Sequence, residues 1–77
     1  MIFEVSLKDD IDLKDLIENL RQMGYMMIAW GGGGQWWYDY AFEGSELNIK
    51  VADKFVKQEL SNKGLIEDRD YTVEILN

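Results

Sequence analysis

The chain of 77 residues contains no cysteine, no histidine and no proline. Without cysteine there is no disulfide, and zinc and iron–sulfur sites lose their usual ligands. Without histidine, the Ser-His and Cys-His nucleophile systems are excluded, as is the commonest acid–base group near neutral pH. These absences predict a protein that has no metal site and no cofactor and is not an enzyme, although catalysis by Asp, Glu, Tyr or Lys alone stays open.

Long apolar runs are also missing. The longest extends from Tyr25 to Trp30, far below the ~20 residues that span a bilayer. The first residues have neither the basic start nor the apolar core of a signal peptide, and the lack of cysteine is compatible with a reducing compartment. We therefore expect a soluble, cytoplasmic protein with no membrane partner.

Basic residues are scarce, because 8 Lys and Arg stand against 15 Asp and Glu and leave a net charge of −7. This charge opposes direct binding to nucleic acid or to anionic membranes, since both are negative. It permits binding to a basic protein. The alternative is that the acidity only keeps the protein soluble, because net charge affects association rather than fold.

The first half of the chain shows strand and helix patterns in turn. Apolar and polar residues alternate over 2–7, which predicts a half-buried strand. A helix follows, with Asp12 as its N-cap and Gly24 as a left-handed cap at its end. Its apolar face would consist of Leu13, Leu16, Ile17 and Leu20. Aromatic and apolar residues then predict strands at 25–30 and 35–42.

The second half contains one ambiguous segment. Residues 46–51 alternate as in a strand, but the apolar residues from Ile49 onward also fit one face of a helix. The alternation directly after a glycine turn favours a strand at 46–51 and a helix at 52–63, and a last strand is predicted at 71–76.

The order β-α-β-β-(β)-α-β predicts a single α+β domain over residues 1–77. An antiparallel sheet of four or five strands would have both helices on one face. In topology this arrangement resembles the ferredoxin-like fold, which hosts many unrelated functions.

The most unusual segment is the run Gly31, Gly32, Gly33 and Gly34, which follows Trp30. A phosphate-binding loop would need Gly-Lys-Ser/Thr at the start of a helix, and no such residues follow. One interpretation is a plain connection between two strands. The other is a mobile loop rimmed by tryptophans that contacts a partner, because Trp dominates binding hot spots.

Alternation along the third strand separates its side chains into two sets. Trp36, Tyr38, Tyr40 and Phe42 form the larger apolar set and should face the helices. Trp37 and Asp39 would then lie on the uncovered face, among further acids. Aromatics on a bare sheet face are typical of RNA-recognition modules, but the basic and glycine residues of their strand motif are absent. Contact between Trp37 and another protein is therefore the favoured interpretation.

A second acidic group surrounds the start of the first helix. It comprises Asp9, Asp10, Asp12 and Asp15. Such a strip can occupy a site built for phosphates, because Lys and Arg do not distinguish carboxylate from phosphate by charge alone. The alternative is a solvated helix start whose acids match the helix dipole.

Together these patterns predict a non-enzymatic inhibitor or adaptor. It would dock on a basic, nucleic-acid-handling partner as a nucleic-acid mimic, through the tryptophans, the glycine run, Asp39 and the aspartates of the first helix. Phages and other mobile elements encode many small acidic proteins of this class. The alternative is a self-associating domain, such as a homodimer, or a small-ligand-binding domain that uses the aromatic face and the glycine run.

Overall fold

The computed structural model describes residues 1–33 and 37–76. Four strands and two helices follow one another, with one short 3₁₀ turn before the second helix. In chain order they are β1 (Ile2–Leu7), α1 (Lys14–Gln22), β2 (Met26–Gly33), β3 (Trp37–Glu43), the 3₁₀ turn (Glu46–Asn48), α2 (Ile49–Asn62) and β4 (Tyr71–Ile75).

The four strands form one sheet in the order β2-β3-β1-β4, and all neighbours are antiparallel. The prediction of an α+β protein with an antiparallel sheet and two helices is therefore confirmed, with four strands.

The core lies between the sheet and the helices. Phe3, which is fully buried in β1, stacks on Phe42 at a ring distance of 5.2 Å and meets Tyr25 edge-on at 5.4 Å. The buried residues form one cluster, namely Phe3, Val5, Leu7, Leu13, Leu16, Leu20, Tyr25, Phe42, Ile49, Ala52, Val56, Leu60 and Tyr71. Since β1 contributes only its odd-numbered residues, one face of the sheet is covered by helices and the other is not.

The ends of α1 agree only in part with the sequence prediction. Gly24 has a φ of +93° and terminates the helix in the left-handed conformation that glycine favours. The prediction that Asp12 is the N-cap is wrong, because Leu13 occupies that position. The Asp12 carboxylate instead accepts a hydrogen bond of 2.9 Å from the backbone nitrogen of Lys14.

The strand predicted at 46–51 is wrong, because these residues form the 3₁₀ turn and the first turn of α2. The Ser45 hydroxyl accepts a hydrogen bond from the Leu47 nitrogen and starts the turn. A strand would have buried Leu47 and Val51 together with Ile49, but they are 92% and 60% exposed. The helix instead buries Ile49, Ala52, Val56 and Leu60 along a single stripe.

Both interpretations of the glycine run, a plain connection and a mobile loop, are wrong for Gly31, Gly32 and Gly33, because these residues extend β2 opposite β3. Gly34 lies outside the described residues, as do Gln35 and Trp36. An irregularity between Met27 and Ala29 places one extra residue in β2 opposite Ala41, as in a β-bulge.

The corner after β3 depends on a glycine. The Tyr25 hydroxyl donates a hydrogen bond to the backbone oxygen of Ser45. A Cβ atom at Gly44 would lie 2.6 Å from the Gly24 oxygen and 2.7 Å from Cε1 of Tyr25. Only glycine therefore allows the chain to pass this closely over the tyrosine ring.

Candidate functional site

The uncovered face of the sheet, called here the free face, is acidic. The register fixes which residues it carries: Phe42 is in the core, so Glu43, Ala41 and Asp39 point the other way, as do Glu4 and its cross-strand partner Glu74. All four acidic residues of the strands, Glu4, Asp39, Glu43 and Glu74, thus share the free face.

Basic residues are confined to the rest of the molecule. Across the strand residues that the structure describes, none is Lys or Arg. The eight basic residues lie in the helices and connections, at Lys8, Lys14, Arg21, Lys50, Lys54, Lys57, Lys63 and Arg69. The carboxylates of the free face therefore have no cation on their own or a neighbouring strand to offset them.

Glu4 is the electrostatic centre of this face. Partial burial raises the pKa of its carboxyl, and the negative charges of Asp39 and Glu74 raise it further. Each cause disfavours the ionised form. A cationic group bound beside Glu4 would reverse the second cause, because an opposite charge favours the carboxylate.

A shallow concavity of about 150 Å³ adjoins Glu4 on the free face. Its acidic walls are Glu4 and Asp39, and its remaining lining consists of Ala29, Trp30, Gly31, Gly32 and Ala41. The small residues Ala29, Gly31 and Ala41 leave the surface low beside the two carboxylates. This combination suits a Lys or Arg side chain, whose charge would meet the carboxylates. Trp30 pairs with Tyr40, which lies on the covered side, so the indole of Trp30 points away from the free face.

Trp30 is the most exposed described tryptophan, with 71% of its surface accessible. Trp37 is only half-buried and lies on the free face, two residues before Asp39. The register therefore agrees with the expected facing of Trp37 and Asp39. Trp30 pairs with Tyr40 and therefore faces the other side of the sheet, so Trp37 is the described tryptophan of the free face.

Gly31 and Gly32 are not required by the fold. Neither has a positive φ, and a Cβ atom on either would meet nothing within 4 Å. In this they differ from Gly44, whose Cβ would clash. Gly31 lies opposite Asp39, so its effect is to keep the surface beside that carboxylate free of side chains.

The aspartates at the start of α1 belong to another part of the surface. Asp10 contributes, after burial, to the raised pKa of Tyr40. Tyr40 packs against the core on the covered side of the sheet, whereas Asp39 lies on the free face. The structure thus does not bring Asp9, Asp10, Asp12 and Asp15 onto the face that holds Asp39 and Glu4.

A second concavity, of about 310 Å³, lies on the outer side of α2. Its described lining is Val51, Lys54, Phe55 and Gln58. The only charge among these residues is positive. This surface therefore lacks the acidic character of the free face.

The predicted contact residues did not include Glu4, Ala29 and Ala41. The signal for Glu4 and Ala41 was present, since alternation along their strands puts them on the face of Asp39. Ala29 had no such signal, because the bulge in β2 shifts its facing by one residue.

Comparisons of the chain with protein-family models, with curated proteins and with solved structures find no match. Neither described helix is long and apolar enough to cross a membrane. Within residues 1–33 and 37–76, no group of three or more acidic side chains is arranged so that it could hold a metal ion.

Proposed function

We propose that this protein is a non-enzymatic, acidic binding module whose free face docks on a basic partner protein. The observation that carries the proposal is the segregation of charge: the strands contribute Glu4, Asp39, Glu43 and Glu74 to one face and no Lys or Arg. Within the part of the chain that the structure describes, no ion pair involves these carboxylates, so a partner's cations are their natural counterpart.

The concavity beside Glu4 is the proposed anchor point. A partner Lys or Arg placed there would lie against the carboxylates of Glu4 and Asp39. The aspartates at the start of α1 would extend the acidic surface on the neighbouring side of the molecule.

The proposed partner is a protein that handles nucleic acid. Sites that hold phosphates present clustered Lys and Arg, and a row of carboxylates satisfies the same donors. The module would act as an inhibitor or adaptor by occupying such a site. At a net charge of −7 it would not bind the nucleic acid itself.

The fold supports a finer assignment, to the ferredoxin-like topology, as part of this proposal. The order β-α-β-β-α-β and the position of β3 between β1 and β2 are the features of a split βαβ arrangement. The topology leaves one sheet face bare, and that bare face is what the proposed function uses.

The test is affinity capture from host extract followed by elution in steps of increasing salt. The test variant combines Glu4→Gln, Asp39→Asn and Glu74→Gln. The matched control combines Glu18→Gln, Glu46→Gln and Glu59→Gln, which removes the same number of charges from α1, the 3₁₀ turn and α2.

We expect wild type and control to retain a basic protein that salt releases, and the free-face variant to lose it. Equal retention by both variants would contradict docking through the free face. Tight binding to bare DNA or RNA at physiological salt, or catalytic turnover by the purified protein, would contradict the proposed function as a whole.

A further inference from the structure

The two outer strands of the sheet, β2 and β4, differ in how their edges are protected. Natural proteins block strand edges with charges, prolines or short length. β4 is short, contains Glu74, and follows an acidic segment at 67–70. β2 is longer, has no charged residue and no proline, and carries only one bulge.

The segment around β2 is the longest uncharged stretch of the chain. No Asp, Glu, Lys or Arg occurs between Arg21 and Asp39, although charged residues make up 30% of the sequence. Two copies of a chain with a net charge of −7 repel each other over most of their surface. The edge of β2 is where they can approach without placing like charges together.

Apolar side chains are exposed along this same edge. Met26, Ile28 and Trp30 are 57%, 50% and 71% exposed. Exposed apolar residues along an unpaired strand favour strand addition, in which main-chain hydrogen bonds form and apolar side chains leave water.

β2 is also complementary to itself in size. Its first half, Met26–Ile28, is bulky, and its second half, Gly31–Gly33, is glycine. Antiparallel pairing with a second β2 sets the bulky half of each strand against the glycine half of the other. Met27 and Gly32 face the same side of the sheet, because their β3 partners Phe42 and Tyr38 both do, so they can be placed opposite each other.

We propose that two copies of this chain pair through the outer edges of β2 and form a two-fold symmetric dimer with one continuous eight-stranded sheet. The contact is isologous, which means that it uses the same edge in both copies. Assembly therefore stops at two chains. The protected edge of β4 prevents the head-to-tail addition that would build a filament. This inference is independent of the basic partner proposed above.

The test is the association state of the purified protein by sedimentation over a wide range of concentrations. The test variant is Ile28→Lys, which places a charge in the β2 edge. The control is Val51→Lys, which makes the same change at a comparably exposed aliphatic residue on α2. Circular dichroism confirms that both variants are folded.

We expect a concentration-dependent dimer for wild type and for Val51→Lys, and a dissociation constant at least about tenfold higher for Ile28→Lys, since a buried lysine is costly. Amide hydrogen exchange of the wild type gives a readout without mutation. Exchange along β2 should slow as the dimer forms, and exchange along β4 should not.

Three outcomes would overturn the proposal. The first is a wild-type protein that remains monomeric at millimolar concentration. The second is a dimer whose dissociation constant does not change with Ile28→Lys. The third is dissociation of the dimer by Val51→Lys, which would place the contact on α2.

Discussion

Glu4 and Glu74 lie directly opposite each other on adjacent antiparallel strands, on the sheet face that no helix covers. Like charges at directly opposed positions destabilise a sheet, so this pair lowers the stability of the isolated protein. A binding module gains from such a pair, because a partner's cation that relieves the repulsion contributes to affinity.

The first prediction concerns Glu4→Gln. The pKa of Glu4 is raised in the folded protein, first by burial and then by Asp39 and Glu74. The stability that Glu4 contributes is therefore present in acid and lost as pH rises through its folded pKa. Glu4→Gln should stabilise the protein at pH 7 by about 0.2–1 kcal/mol, and the gain should vanish as pH falls to the pKa of an unfolded glutamate.

Thermal unfolding from neutral to acidic pH checks this prediction. Glu46→Gln, an exposed residue of the 3₁₀ turn, controls for the loss of one negative charge. A gain that is equal in both variants, or that grows as the pH falls, would be incompatible with repulsion at Glu4.

The second prediction compares two glycines. Gly44→Ala should destabilise the protein by about 1–3 kcal/mol, because the new methyl group overlaps the backbone oxygen of Gly24 and the ring of Tyr25. Gly31→Ala should be neutral or stabilising by up to about 1 kcal/mol, because its methyl group meets nothing and glycine is unfavourable in a strand. Urea unfolding measures both. Equal losses would mean that β2 is not formed as described.

The third prediction tests the helical assignment of the ambiguous segment. In a strand, Leu47 and Ile49 would share one buried face. In the helix, Ile49 is 8% exposed and Leu47 is 92% exposed. Ile49→Ala should therefore lower the free energy of unfolding by about 2–5 kcal/mol, and Leu47→Ala should lower it by no more than about 0.5 kcal/mol. Similar costs at the two positions, measured by denaturant unfolding, would restore the strand interpretation.

The fourth prediction concerns the aromatic centre of the core. Phe42→Ala should cost about 3–5 kcal/mol, since it removes a fully buried ring that stacks on Phe3. The whole free energy of unfolding of a protein of this length is roughly 4–12 kcal/mol, so cooperative thermal unfolding of the variant should be largely lost. Tyr38→Ala on the same strand should leave a cooperative transition, because Tyr38 is 36% exposed. The reverse order of stability would contradict the described register of β3.

Much of the fold was predictable because local patterns and tertiary packing agree there. The apolar residues of β1 repeat with the period of a strand only, and those of α1 repeat with the period of a helix only. In both elements the buried residues are the ones that this period selects. The segment from Glu46 to Val51 was not predictable, because its apolar residues fit periods of two and of 3.6 equally. Burial of Ile49 together with Ala52 and Val56 favours the helical period over the strand period. That burial depends on contacts with residues distant in sequence.

The site was predictable to a smaller extent. Asp39 and Trp37 could be placed on the free face by alternation alone. The role of Glu4 depends on Glu74, which is 70 residues away in the chain and becomes its neighbour only through the pairing of β1 with β4. The glycines of β2 were misinterpreted because glycine signals a turn more often than an exposed edge strand.

The difference in charge between the strands and α2 has a kinetic consequence. The four acids of the strands lie on one side of the sheet, while α2, which packs on the other side, carries three lysines and two acids. The strands and α2 together therefore contribute an electric dipole component across the sheet, with its negative end on the free face. This component favours an approach in which the free face meets a positively charged surface first, and it thereby raises the share of collisions that are correctly oriented.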